Sequence, residues 1–204
     1  RPLAHDVFVI DYSRDGSDEG ALSAADIASL KLKPDGGRRL VLAYMSIGEA
    51  EDYRFYWKWY WGYLWGLLAP SWRSRHNAEW RGNYAVRYWQ PEWQKVILGP
   101  GDSYMDRLLK AGFDGVWLDK IDSSVESVAK SNPQAQAEMI RFIGRIAERG
   151  RATIPGFLVL PQNGDELLTD AGYRATIDGM GKEDLLYGEE KDKVPNSAEI
   201  VESR

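Results

Sequence analysis

Apolar runs that close on polar or aromatic residues predict six short β-strands along the chain. They are VFVID (7–11), LVLAYMS (40–46), YAVRYW (84–89), GVWLD (115–119), FLVLPQN (157–163) and ATIDGMGKE (175–183). Near-continuous Val, Ile and Leu is the pattern of strands covered on both faces, as in a parallel sheet. Between these runs the period becomes helical. Leu22, Ile27 and Leu30 share one face and stop before Pro34-Asp35-Gly36-Gly37, a turn signal. The stretch QPEWQKVILGPGDSYMDRLLKAG predicts helical cover broken at GPGD, and ELLTDAG a short helix. A longer helix is expected to start at Asn132-Pro133 and to end at Gly150, with Met139, Ile140, Ile143 and Ile146 on its apolar face. A last helix opens at Asn196.

Regular strand–helix alternation without a linker predicts one α/β domain over residues 1–204, of the (β/α)8 TIM-barrel type. A complete barrel has eight strands and typically about 250 residues. With 204 residues and about six visible strands, the barrel is expected to be incomplete or atypical here.

The strand ends carry the candidate chemistry. In a barrel, the C-terminal ends of the strands face the active site. Here they present Asp11 with Tyr12, Ser46 with Glu49, Tyr88 with Trp89, Asp119, Gln162 with Asn163, and Glu183. Tyr44 precedes the second strand end, and Glu51, Asp52 and Arg54 follow it; Asp122 follows Asp119. Two carboxylates across one mouth are what glycosidic bond cleavage needs: one protonates the leaving oxygen, the other attacks the anomeric carbon or activates water.

Each residue also has a plainer reading. Asp119 could cap a turn or pair with Lys120. Glu183 could be a solvated charge in KED, and Asp178 is its nearest competitor. Glu49 could belong to an acidic helix start. Asn163-Gly164 is a strong turn pair. Glu49, Asp11, Gln162 and Asn163 are expected to bind hydroxyl or amino groups, and Arg54 to hold a neighbouring carboxylate in a two-pronged grip.

Nine of the 25 aromatic residues fall between Tyr53 and Trp65, so that segment needs an account of its own. Rings can stack on sugar faces, but the spacing Trp57, Trp61, Trp65 is also a helical packing stripe. A surface-association helix is the third possibility for this run. Tyr88 and Trp89, at a strand end, are the better sugar-stacking candidates.

Composition narrows the partners. A net charge of −5 argues against nucleic acid, which needs a basic face. The absence of Cys removes disulfides and thiolate chemistry, and two distant histidines, His5 and His76, make a histidine metal site or a Ser-His triad improbable. No apolar run is long enough for a membrane span, and the chain opens at RPLAHDVFVID almost directly on a strand, with no signal peptide in view.

The segments IDYSRDG, AYMSIGEAEDYRFYW, NAEWRGNYAVRYWQPEW, AGFDGVWLDKID, PQNGDELL and IDGMGKEDLLYG, in that order from about Val7 to Tyr187, resemble the glycoside hydrolase family 114-like barrels. These are secreted glycosidases related to endo-α-1,4-polygalactosaminidases. The resemblance implies an extracellular or periplasmic enzyme that needs neither metal nor cofactor and cleaves a polysaccharide, one rich in amino sugars. It assigns catalysis to Asp119, the acid of GFDGVWLD, and to Glu183. The chain departs from the family pattern in its missing outer strands, in Lys120 where many relatives are apolar, and in the dense aromatics after Tyr53. The alternative is a carbohydrate-binding protein on a degenerate barrel, without catalysis.

Overall fold

The computed structural model describes residues 4–62, 67–124, 128–188 and 193–202. Its strands are β1 (Val7–Ile10), β2 (Leu40–Ser46), β3 (Glu49–Glu51), β4 (Arg73–His76), β5 (Asn83–Val86), β6 (Gly115–Asp119) and β7 (Leu158–Pro161). Its helices are α1 (Ala24–Leu30), α2 (Pro91–Leu98), α3 (Tyr104–Ala111), α4 (Ala135–Thr153), α5 (Ala171–Thr176) and α6 (Ala198–Glu202). β1, β2, β6 and β7 form a parallel sheet in the order β1-β2-β6-β7. The sheet is open among the described residues, and Val7 and Val9 on its β1 edge are 44% and 41% exposed.

Helices start where side chains can take up their free N–H groups. Ser23 and Ser103 each accept from the backbone N–H three residues on, while Asp26 and Asp106 reach back to the cap backbone. Such a reciprocal box satisfies two orphan donors at once. Helix α3 stops at Gly112, which takes the left-handed conformation at φ 83°. The core lies between the parallel sheet and the helices. Val41, Ala43, Met45, Val116, Leu118 and Val159 meet Ile97, Met105, Leu108, Met139, Phe142, Ile143 and Ile146 there, all buried.

Two of the six expected strands do not join the parallel sheet. The YAVRYW run begins within β5, which is antiparallel to β3 and β4 in a separate three-stranded sheet. The reason is the short connection from His76 to Asn83: a tight turn can join only antiparallel strands, whereas a parallel pair needs a long crossover. The ATIDGMGKE run is the second exception. Its first residues end α5, whose start is capped by the Asp170 side chain accepting from Tyr173 N–H. What remains beside β7 is a single parallel bridge between Gln162 and Gly181. Gly179 and Gly181 offer no side chains to a strand face, which weakens pairing.

Helix α4 begins at Ala135, two residues after Pro133, and it passes through Gly150 to Thr153. Gly150 is therefore not a stop. A Cβ there would lie 2.2 Å from Cδ1 of Phe157, whose ring is 1% exposed. The glycine lets helix and strand approach. Gly150→Ala sets a helix-propensity gain of about 1 kcal/mol against an overpacking cost of about 1–3 kcal/mol. With the ring locked in the core, the cost is expected to win, and the urea midpoint should fall. A rise in the midpoint would show that Phe157 can step aside.

Candidate active site

Asp119 closes β6, a strand with neighbours on both sides. The register sets Tyr44 opposite Trp117 and Ser46 opposite Asp119. Three donors converge on the Asp119 carboxyl group. The Tyr44 hydroxyl donates to Oδ2 at 2.5 Å, the Gln162 amide to Oδ1 at 3.1 Å, and the Lys120 backbone N–H to Oδ1 at 2.7 Å. Gln162 is itself oriented, because the Trp117 indole N–H donates to its Oε1. An indole can only donate, so the other end of the amide must face Asp119.

Glu183 lies across β7, just beyond the Gly181 bridge. Its Oε2 accepts from the Asn163 amide at 3.0 Å, and its backbone N–H donates to Asn163 Oδ1 at 3.1 Å. Among the described residues its other carboxyl oxygen has no partner. Consecutive amides at the end of β7 thus hold one carboxylate each. Of the neighbours in KED, Lys182 is engaged by Asp165. Asp178 is taken up elsewhere: it accepts from Arg151 and from Val159 N–H, both at 2.8 Å, beside the start of β7.

Four non-glycine residues have positive φ among the described residues, and three stand at this place: Lys120 (62°), Asn163 (59°) and Asp184 (49°). A left-handed L-residue costs roughly 1–2 kcal/mol, with less strain for Asn and Asp. Such conformations collect where a site over-determines the backbone. Glycines admit the close approaches around them. A Cβ on Gly48 would sit 2.2 Å from the Lys120 carbonyl oxygen, and one on Gly181 would sit 2.1 Å from the Trp117 ring.

A cleft of about 780 Å³ joins these groups to the small antiparallel sheet. Asp11, Tyr44, Glu49, Arg54, Asp119, Asp122, Gln162, Asn163 and Glu183 all line it. Glu49 is buried in β3, with Asn77 and Asn83 donating to its two oxygens at 2.9 and 3.2 Å and the Lys120 ammonium 4.0 Å away. Arg54, with a side chain 1% exposed, is spent on its neighbours: it lies 2.6 Å from Glu51 and 2.7 Å from Asp11. It holds those two carboxylates in place.

Tyr88 and Trp89 do not line the cleft. Tyr88 is fully buried, donating its hydroxyl to the Ala135 carbonyl at 2.9 Å, and Trp89 packs edge-on against it. Leaving β5 at Val86 turns the Tyr88 ring toward the start of α4 instead of the strand ends. The Trp57, Trp61, Trp65 stripe does not form a helix as expected. Among the described residues the segment has one 3-10 turn, Trp59–Gly62, with Trp57 edge-to-face on Trp61 and Trp61 on Trp72. Trp65 lies outside the described residues.

Sequence reasoning missed Trp117, Asn77, Asn83 and Trp80. Trp117 was hidden inside an apolar strand. The other three sit in NAEWRGNY, where Gly82-Asn83 was the available turn signal. Among the described residues no three His, Asp or Glu side chains are placed to hold a metal ion, and no helix is long and apolar enough to cross a membrane.

The sequence model of glycoside-hydrolase family GH114 matches residues 1–194. The chain belongs to this family. Among the relatives of this GH114 chain, an uncharacterized protein of Thermotoga maritima is 40% identical over 188 residues, 89% of the chain and 54% of that protein. One of Methanocaldococcus jannaschii is 42% identical over 190 residues, 89% of the chain and 51% of that protein. The chain thus spans about half the length of the curated relatives it matches.

Two solved structures are similar to the GH114 fold seen here. Aspergillus fumigatus Ega3 in complex with galactosamine has a TM-score of 0.64 at 16% identity, covering 91% of this chain and 69% of that one. The glycoside hydrolase domain of PelA from Pseudomonas aeruginosa has a TM-score of 0.60 at 18% identity, covering 87% and 59%. Identity this low shows the fold, that of TIM-barrel glycoside hydrolases. In this GH114 chain the barrel sheet is open among the described residues.

Burial pushes the phenols of Tyr12, Tyr44, Tyr53, Tyr56, Tyr88, Tyr104 and Tyr173 up, Tyr12 to about 12. For Tyr44 the charge on Asp119 adds to the effect. A raised folded value means that the unfolded chain releases these protons first. Their contribution is whole below pH 10.0, the ordinary phenol value, and is lost as pH rises above it. In an alkaline titration followed by phenolate absorbance, these tyrosines other than the half-exposed Tyr53 should ionise later than the rest. Smooth ionisation of all 11 near pH 10, with the fold intact, would contradict the burial described here.

Proposed function

We propose that this chain carries the catalytic site of a glycosidase that cleaves a polysaccharide rich in amino sugars. The observation that carries the reading is the pair of consecutive amides, Gln162 and Asn163, each holding one carboxylate of a single cleft. Asp119, held by three donors, is the group that attacks the anomeric carbon or activates water. Glu183, with one oxygen free of protein partners among the described residues, is the group that gives a proton to the leaving oxygen. No cofactor is needed for either step. One (β/α)-barrel-type domain is the unit that carries them.

The sugar class follows from charge. Eight carboxylates line the cleft against three cations. A cleft lined mostly by one sign concentrates ligands of the other, so a protonated amino sugar fits better than a uronic acid. The galactosamine bound by Ega3 supports this choice. We also place the chain outside the cytoplasm, on its resemblance to secreted glycosidases, which fractionation of the source cells can check.

The test is release of reducing ends from amino-sugar polymers. The native protein should cleave de-N-acetylated hexosamine polymers in preference to acidic ones. Asp119→Asn and Glu183→Gln should each lower the rate by about 10²–10⁴-fold, with the protein still folded by circular dichroism. A Glu183→Gln protein that cleaves at near-normal rates removes Glu183 from the mechanism. Binding of the polymer without cleavage by the native protein leaves the non-catalytic reading in its place.

A further inference from the structure

The β4–β5 hairpin carries a tryptophan, Trp80, whose ring is left exposed. The turn at residues 77–82 is tightly made. Asn77 Oδ1 accepts from the N–H groups of Glu79 at 3.0 Å and Trp80 at 3.3 Å, and Asn83 N–H donates to the Trp80 carbonyl at 3.1 Å. Gly82, at φ +92°, passes close to Asp52, where a Cβ would lie 2.7 Å from Oδ1. The hairpin is anchored by its own aromatics: Trp57 stacks on Tyr84 at 4.8 Å, and His76 meets Tyr84 edge-on at 5.3 Å. Trp80 takes no part in this packing. It is 68% exposed, and its ring pairs with no other ring among the described residues.

A single exposed apolar side chain is ordinary on a protein surface. Trp80 differs because it lines the same cleft as Asp119 and Glu183, whereas Trp59, 74% exposed, does not. Its backbone is also held to the cleft floor. The same Asn77 that shapes the turn donates to Glu49, as does Asn83 at the other end of the turn. An indole kept in water on a rigid turn, at the wall of a carbohydrate cleft, is a stacking platform. The negative ring face attracts the C–H face of a pyranose, and an ammonium on that sugar adds a cation–π term, strongest for Trp.

We propose that Trp80 forms a flanking subsite for one pyranose ring of the bound polymer. It is supplied by the antiparallel hairpin, separately from strand β6, which carries Asp119, and from the segment beyond the Gly181 bridge, which carries Glu183. The inference rests on the glycosidase reading above for the identity of the cleft. It makes the enzyme dependent on chain length, since only an oligomer long enough to reach both places gains from the indole.

The test uses the chain as it stands, with a length ladder of de-N-acetylated hexosamine oligosaccharides from dimer to octamer. Trp80→Ala should lower kcat/KM on the octamer by up to about tenfold, mostly through KM, the size of one aromatic contact. The shortest cleaved oligomer should change less than about twofold. Trp80→Tyr should restore most of the loss, and Trp59→Ala should leave every length unaffected. An equal loss at all lengths, or none on the octamer, overturns the subsite while leaving the glycosidase reading intact. If the native protein cleaves nothing, that reading fails alone, and octamer-induced quenching of tryptophan fluorescence decides the subsite. Binding that Trp80→Ala abolishes keeps it, and binding that is absent or unchanged ends it.

Discussion

The interaction on which this site depends is the convergence of three donors on Asp119. A carboxylate at the end of a strand with neighbours on both sides is partly withdrawn from water, and its lone pairs must be met by protein. Tyr44, Gln162 and the Lys120 backbone N–H meet them. Each of these partners makes demands further out. Tyr44 reaches Asp119 because the β2–β6 register places the two strands in step. Gln162 points correctly because Trp117 can only donate to it. Lys120 must turn left-handed directly after the carboxylate. Gly48 and Gly181 must lack side chains so that the surrounding backbone and indole can close in.

The end of β7 extends this arrangement to the second carboxylate. Gln162 and Asn163 are adjacent in the chain yet serve opposite neighbours, because one belongs to the strand's pairing with β6 and the other to the turn toward Gly181. Asn163 tolerates the left-handed conformation better than most residues, which suits the residue placed at the corner. Backbone strain of this kind is tolerated where several contacts agree on one geometry. Three such residues border the cleft, so the stability they cost is offset by the parallel sheet and its helices.

The cleft has a second wall of different origin. β3, β4 and β5 are short and antiparallel and contribute Glu49, Asn77, Asn83 and Trp80. Arg54 ties this region to β1 by binding Glu51 and Asp11 together, in a setting where removing one partner of a buried pair typically costs 3–5 kcal/mol. The aromatic run serves the same wall. Trp57 and Trp61 pack it against Trp72 and Tyr84 instead of facing sugar.

The sequence by itself determined the class of fold, the four parallel strands, and half of the residues that line the cleft. It did so because buried strands write themselves as apolar runs and because a barrel gathers function at their ends. GVWLD and FLVLPQN announce both their strand and its terminal polar group without help from the rest of the chain. Only the tertiary structure decided which of those groups face one another. Tyr88 and Trp89 end an apolar run just as Asp119 does, yet a short hairpin turned that strand antiparallel, burying Tyr88 in the core with Trp89 half-buried against it. ATIDGMGKE reads as a strand, yet a capped helix and two glycines reduced it to one bridge. Trp117 and Asn77 act through residues 45 and 28 positions away. Contacts at such separations depend on register and loop geometry, which no local pattern records.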